Sequence, residues 1–324
     1  MVQISKKIAL LHRYPEDRIK ETNAAFPYLK AKGVDVLTFK RFNRLSESAK
    51  FFKSLLWVVY APCLVFGKNY DVIYCDDSFP IYPLLVKMVS PKSKVIIRIG
   101  DFHLMYYTSG LLYSLLHFFE RLTWRAVDQI LVISEPMKEF IGMDKVKVIL
   151  DPVEIKPLVS HSYGSVMFHG LLVKNKNVDV LLEAAKRMPE TMFIIIGDGP
   201  DKKRLEKIAP NNVAFKGWIH FDRINHFLGT CAIGVALRSK NRGNDYVVTS
   251  PFLQYGVLGK PCVVTKRKVF GSYPYQFSNA NELETHLREL LKAPAEAGRQ
   301  LRDFIVENHS ADKIAGEIWS QLSA

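Results

Sequence analysis

The feature that most constrains this chain is an alternation, run through twice, of short β-branched apolar stretches with longer helical patterns. In the first half the apolar stretches fall at 7–11, 34–39, 71–75, 94–99, 129–133 and 146–149. Helices are predicted between them at 23–32, 46–60, 81–89, 111–125 and 135–141. Each stretch is apolar almost throughout rather than at every second residue, the mark of a strand buried on both faces. Such strands pair in parallel, because each parallel pair needs a crossover long enough to hold a helix. A polar stretch at 151–161, with Pro152 and Pro157, reads as a linker. The alternation then restarts, with strands at 166–169, 192–196, 213–215, 232–237 and 261–265. Helices fit at 177–188, 201–208, 221–228, 251–257, 281–291 and 295–308. Val178, Leu181, Leu182, Ala185 and Met188 share one helix face, with Asn177 placed to cap it. The expected fold is α/β, two Rossmann-like domains over 1–155 and 156–305, with a helix over 306–324 able to cross back to the first domain. Ligands of such sheets bind beyond the carboxyl ends of the strands, here in the expected cleft between domains.

Composition narrows the class. A hydrophobic fraction of 48% with 24% charged residues builds a core and excludes a disordered chain. Cys63, Cys75, Cys231 and Cys262 form no C-x-x-C pair and three lie in apolar runs, so reduced core thiols are expected rather than a structural zinc. The net charge of +13 is uneven: residues 1–70 hold 13 Lys and Arg against 5 Asp and Glu, a difference of +8. That surplus suits nucleic acid, an anionic membrane face or a phosphorylated substrate. No nucleic-acid-binding motif supports the first. The apolar run at 8–11 is too short for a secretory signal, which points to the cytoplasm. The longest apolar run, 55–66, follows Lys50, Phe51, Phe52 and Lys53. Spanning a bilayer takes about 20 residues, so this run is either a core helix ended near Pro62 or a basic, aromatic-rich helix lying in the membrane interface.

The second half carries the motifs. Residues 168–200 read FHGLLVKNKNVDVLLEAAKRMPETMFIIIGDGP, and 250–264 read SPFLQYGVLGKPCVV. A strand ends in Gly170, a loop carries Lys176, a helix holds Leu181, Leu182 and Ala185, and the next strand ends in Gly197-Asp198-Gly199. Phe215-Lys216-Gly217-Trp218 closes a further strand. In this order the motifs resemble the donor domain of GT-B glycosyltransferases of the GT4, or group 1, type. Relatives show S-P-x-K-x-x-E-Y-x-A-x-G-K-P-V-V where this chain has 250–264. The resemblance implies a transferase that uses a nucleoside diphosphate sugar and no metal or other cofactor. Departure of the diphosphate would then be met by cations and by helix N-terminal N–H groups; the chain has no D-x-D. It implies diphosphate contacts from Gly170, Lys176, Ser250 and Pro251, with Ser250 capping the helix and Pro251 in its first turn. It places the nucleotide and ribose at Gly197, Gly199, Trp218 and Gln254, and the donor sugar at Asn244, Asp245 and Tyr246.

Two departures from the family pattern matter. The cation that usually follows the first Gly is replaced by Leu171 and Leu172, so Arg238, Lys240 or Arg242 must serve, Arg238 first. The family's E-x7-E pair aligns with Tyr246 and Gln254. A Gln can still accept from one ribose hydroxyl and donate to the other. A Gln-Tyr in this slot is similar to glucuronosyltransferases that extend lipid-linked oligosaccharides. In that comparison an Asp at the end of the Lys94-containing strand is the general base, which implies Asp101, with His103 second. His12, Arg13 and Asp76-Asp77-Ser78 also end first-half strands. The expected partners are a nucleotide-sugar donor, a lipid-linked or membrane-proximal acceptor and the anionic cytoplasmic face of the membrane, with no nucleic acid. The alternatives are a sugar-nucleotide 2-epimerase of related fold and a degenerate relative that binds nucleotide sugar without turnover.

Overall fold

The computed structural model describes residues 6–14, 16, 23–38, 50–76, 81–102, 110–158, 164–239 and 241–324. The chain forms two compact units, Met1–Pro152 with Ala311–Ala324, and Val153–Ser310.

The first unit holds strands β1 (Ile8–His12), β2 (Asp35–Thr38), β3 (Val72–Cys75), β4 (Lys94–Ile99), β5 (Gln129–Val132) and β6 (Val146–Val148), in the spatial order β2-β1-β3-β4-β5-β6 and all parallel. Its helices are α1 (Phe26–Ala31), α2 (Lys50–Val65), α3 (Tyr82–Val89), α4 (Leu111–Ala126), α5 (Glu135–Ile141) and, from the far end of the chain, α12 (Ala311–Ser323). The step from β1 to β2 runs one way along the sheet and every later step runs the other way. Right-handed crossovers therefore put α1 on one face and α2 to α5 on the opposite one. On the α1 face, Leu10, Tyr74, Ile96 and Leu131 pack with Phe26 and Leu29 and with Ile314, Ile318 and Leu322 of α12. On the other face Trp57 of α2 meets the Tyr82 ring of α3 edge-on, centroids 5.6 Å apart, and Trp124 of α4 meets Phe140 in the same way. Helix α2 does not end at Pro62: it runs on to Val65, with Phe66 N–H donating to the Pro62 carbonyl at 3.0 Å. Cys63 is exposed, while Cys75, Cys231 and Cys262 are buried; all four are free thiols.

The second unit holds β7 (Val166–His169), β8 (Phe193–Ile196), β9 (Val213–Gly217), β10 (Ile233–Ala236), β11 (Cys262–Thr265) and β12 (Gln276–Phe277), again all parallel, in the order β12-β11-β10-β7-β8-β9. Its helices are α6 (Asp179–Arg187), α7 (Lys202–Ile208), α8 (Phe221–Gly229), α9 (Ser250–Val257), α10 (Ala280–Leu290) and α11 (Pro294–His309). Val166, Phe168, Ile195, Val235 and Val263 pack against α6 and α10 through Leu181, Leu182, Leu283 and Leu287. Met167, Ala236, Cys262 and Val264 pack on the other face against Tyr255 of α9 and Ile305 of α11. Strands after β7 are added first on one side and then on the other, so the chain reverses direction between β7 and β10. A crevice opens at the carboxyl ends of such a pair, and that is where α/β sheets hold ligands. Asn177 is not the cap of α6. It takes a left-handed conformation, φ 55°, at the end of the short 3-10 turn Lys174–Lys176, and α6 starts at Asp179. Among the described residues no helix is long and apolar enough to cross a membrane.

Candidate functional site

The crevice between β7 and β10 is filled from one side by α9, and the sequence explains how closely that helix sits. Gly234 of β10 has no side chain, and a Cβ there would lie 2.3 Å from the Tyr255 ring. Tyr255 therefore lies flat on the strand, fully buried, and its hydroxyl donates to the Met167 carbonyl at 2.8 Å. Gly170, Gly197 and Gly199 shape the loops at the other side. A Cβ on Gly197 would sit 1.9 Å from the Gly170 carbonyl oxygen, and one on Gly199 2.2 Å from that of Leu172. Both glycines have positive φ. The glycines expected at the nucleotide are thus required by two strand-end loops lying against each other.

A cavity of about 320 Å³ results, lined by Phe168, His169, Gly170, Lys176, Leu237, Arg238, Thr249, Ser250, Pro251 and Gln254. Six of the expected residues, Gly170, Lys176, Arg238, Ser250, Pro251 and Gln254, meet there. The cap of α9 differs from expectation. Thr249, one residue earlier, accepts the Phe252 N–H at its hydroxyl, and Ser250 is the first helical residue, exposed. Pro251 follows within the first turn, where its missing N–H leaves no bond unmade.

Two cations face the cavity with no carboxylate within ion-pair distance among the described residues: Lys176 and Arg238. Burial, then the neighbouring charge of Arg238, holds the Lys176 ammonium below the usual lysine range. Arg238 is fixed by Asn244. Its guanidinium donates to Asn244 Oδ1 at 2.9 Å, while Asn244 Nδ2 donates to the Ser239 carbonyl at 3.0 Å and the Ser239 hydroxyl at 2.8 Å. Asn244 is buried, so it serves the cavity through Arg238. Arg267, which sequence reasoning missed, donates to the Arg238 carbonyl at 3.1 Å and approaches Asp245 at 4.0 Å. Burial lowers its pKa; Asp245 opposes that and Arg238 adds to it. Three basic side chains so close together carry mutual repulsion that a bound anion would relieve.

His169 was also missed. Its Nε2 lies 2.6 Å from Gln254 Oε1 and its Nδ1 lies 3.2 Å from the Tyr255 hydroxyl. Burial depresses its pKa to about 4, against a smaller upward pull from Gln254, so the ring is neutral near pH 7. An amide oxygen only accepts, so the one ring proton is on Nε2, facing Gln254, while the Tyr255 hydroxyl beside Nδ1 gives its own proton to the Met167 carbonyl. Gln254 is then held by its oxygen, and its amide nitrogen is left for a ligand. A histidine placed directly before the strand-ending Gly170 was the available signal.

The remaining expected residues lie elsewhere. Trp218 is 68% exposed, edge-on to His220, outside the cavity lining. Tyr246 ends the turn Arg242–Asp245. Asp101 follows the end of β4 in the first unit. His103, Lys240, Asp77 and Ser78 lie outside the described residues, as does the side chain of Arg242. In that unit Arg98 is buried and donates to Asp151 at 2.7 Å, with Asp76 3.7 Å away; Asp76 also accepts from Asn23 at 2.7 Å. Among the described residues no group of three or more His, Cys, Asp or Glu is placed to hold a metal.

Residues 164–292 match the family model described as glycosyl transferases group 1. The chain carries a glycosyltransferase domain. Solved structures with the same two-unit architecture include HepE of Anabaena, in complex with UDP and glucose, at 15% identity over 98% of this chain and 100% of that one, TM-score 0.69. The sucrose-phosphate synthase of Thermosynechococcus elongatus matches at 12% identity over 98% and 99%, TM-score 0.73. A TarM variant from S. aureus, solved with UDP, matches at 15% identity and TM-score 0.63, covering 82% of this chain; the chain spans 59% of that protein's length. At these identities the likenesses establish the fold, which is GT-B. No curated protein matches the sequence.

Proposed function

We propose that this glycosyltransferase domain binds a nucleoside diphosphate sugar, UDP- or GDP-linked, in the β7–β10 cavity. The chain then transfers the sugar to a membrane-proximal, lipid-linked saccharide. The observation that carries the reading is the pairing of Lys176 and Arg238, two cations without carboxylate partners, at the N-terminal end of α9 inside a group 1 domain. A diphosphate leaving group gains negative charge as the glycosidic bond breaks. Fixed cations and a helix N-terminus stabilise that charge without a metal. Gln254, oriented by His169, donates its amide N–H groups to ribose oxygens. Asn244 acts by holding Arg238, and Asp245 and Tyr246 lie beside the donor sugar. Asp101, with His103 second, takes the proton of the acceptor hydroxyl. The cationic surplus of residues 1–70 favours an acceptor carried at an anionic cytoplasmic membrane face.

The test is ligand binding followed by transfer. UDP or GDP should raise the melting temperature, and Lys176→Met and Arg238→Met should each weaken nucleotide affinity by about 10- to 100-fold, the value of one charge-assisted hydrogen bond. Incubation with a panel of UDP- and GDP-sugars and a lipid diphosphate sugar should give an acceptor heavier by one sugar. Binding unaffected by both substitutions would remove the donor assignment. Binding without transfer to any acceptor would leave a nucleotide-sugar-binding protein.

A further inference from the structure

Helices α2, α3 and α4 lie side by side on one face of the first sheet, and their outward surface is apolar where a solvated helix would be polar. On α2 the inward residues are Trp57, Val58, Ala61 and Val65. The outward stripe is Leu56, Val59, Tyr60, Cys63 and Phe66, at the spacing of one helix face, with Val59 66% and Phe66 70% exposed. Two turns of α4 repeat the pattern: Thr123 and Trp124 point inward, while Leu115, Phe118 and Leu122 are exposed, Phe118 by 60%. Met88 of α3, 68% exposed, lies on the helix between them. Single exposed apolar residues need no explanation, but a run of this kind across three adjacent helices marks an interaction surface.

The charges around it select the partner. Among the described side chains, residues 56–68, 81–92 and 113–126 carry Lys68, Lys87, Lys92, Arg121 and Arg125; Lys87 pairs with Asp128 at 2.7 Å, and the other four have no carboxylate within ion-pair distance among the described residues. The one carboxylate in these stretches, Glu120, is buried against His117 at 3.0 Å and does not reach this surface. Aliphatic and aromatic side chains flanked by Lys and Arg, with no exposed acid among the described residues of the three helices, are complementary to a bilayer with anionic headgroups: the chains enter the headgroup–acyl boundary and the cations stay at the phosphates. We infer that the α2–α3–α4 face of the first unit is a docking surface for an anionic phospholipid bilayer, with Leu56, Val59, Phe66, Met88, Phe118 and Leu122 as its inserting residues. The inference extends the proposed membrane-proximal acceptor by naming the face that docks, and it stands independently of the donor cavity.

Cys63 offers a direct readout, because it is the exposed thiol among four and lies within the stripe. Full-length protein labelled there with an environment-sensitive fluorophore should shift to the blue with phosphatidylcholine vesicles containing about a third phosphatidylglycerol, and much less with pure phosphatidylcholine or at high salt. Val59→Asp combined with Phe118→Asp, both at exposed positions that the fold does not need, should reduce sedimentation with the anionic vesicles by about ten-fold or more. The UDP-induced rise in melting temperature should persist in that variant. Vesicle binding unchanged by the double substitution, or vesicle binding with an unshifted label, overturns the inference. So does a dimer that the substitutions dissociate and that binds no vesicles, since a second copy would then cover the face. Loss of the UDP effect in wild-type protein with vesicle binding retained would instead sink the donor assignment alone.

Discussion

A neutral histidine has one proton to give, and His169 spends it on Gln254, whose amide oxygen can only accept. That arrangement carries a pH signature. Burial holds the folded pKa at about 4 against an ordinary 6.5, so below 6.5 the unfolded chain binds a proton that the folded chain does not. The sign follows: stability is undiminished above the unfolded pKa and falls as pH drops from 6.5 towards 4. Between roughly pH 7.5 and pH 5 the loss from this one group is about 2 kcal/mol. Urea titrations across that range should show a flatter pH dependence for His169→Gln, which does not titrate, than for wild type. Equal slopes would mean that the imidazole is not held neutral. The individual residues were unevenly legible. Lys176 and Arg238 were legible through the resemblance, Lys176 as the loop cation of the donor pattern and Arg238 as the replacement for the cation missing after Gly170. His169 left only its position before Gly170 as a signal and Arg267 none, because their roles come from neighbours 85 residues away and 29 residues away respectively.

At the scale of elements, the docking of α9 on β10 rests on the absence of a side chain at Gly234. Gly234→Ala would drive a methyl group into the Tyr255 ring, 2.3 Å away, with the helix backbone behind it. Overpacking of that kind costs about 1–3 kcal/mol, and the displaced tyrosine would carry His169 and Gln254 with it. Thermal melts should show the lost stability, and nucleotide titration should show weaker binding in the same variant. Lost stability with unchanged affinity would separate the helix seat from the site. The central strands were legible in the sequence because β1, β3, β4, β5, β7, β8, β10 and β11 are apolar runs buried along most of their length, which only a doubly covered sheet provides. The departures have local causes. Strand β12 is two residues long and leaves no pattern. Pro62 did not stop α2, since Phe66 still reaches the Pro62 carbonyl and the helix packs through Trp57 on Tyr82. Thr249 rather than Ser250 caps α9, a one-residue difference that two adjacent hydroxyl residues cannot settle by composition.

For the molecule as a whole, the last helix matters most, because α12 belongs to the first unit although the whole second unit precedes it in the chain. Its periodicity shows an apolar face; which sheet receives that face is a tertiary matter that no local pattern encodes. Ile314, Ile318 and Leu322 are buried against the α1 side of the first sheet, and at about 1.5–3 kcal/mol each they contribute several kcal/mol. The last turn is also anchored by cations: Lys94 Nζ donates to the Gln321 carbonyl at 3.1 Å and Lys6 Nζ to that of Ser323 at 2.8 Å. Lysines at a helix C-terminus satisfy its free carbonyls and its dipole. A domain is stable by about 5–15 kcal/mol, so a chain ending at Ser310 should lose much of the first unit's margin. Calorimetry of the full chain should resolve two transitions, of which truncation lowers one by about 10 °C or more. Ile318→Ala, which keeps the helix and its anchors, should lower the same transition at about 2–5 kcal/mol. UDP should raise the other transition, because every residue lining the cavity proposed for the nucleotide lies within Val153–Ser310. If truncation and UDP act on the same transition, then either α12 is not part of the first unit's core or the nucleotide does not bind where Lys176 and Arg238 meet.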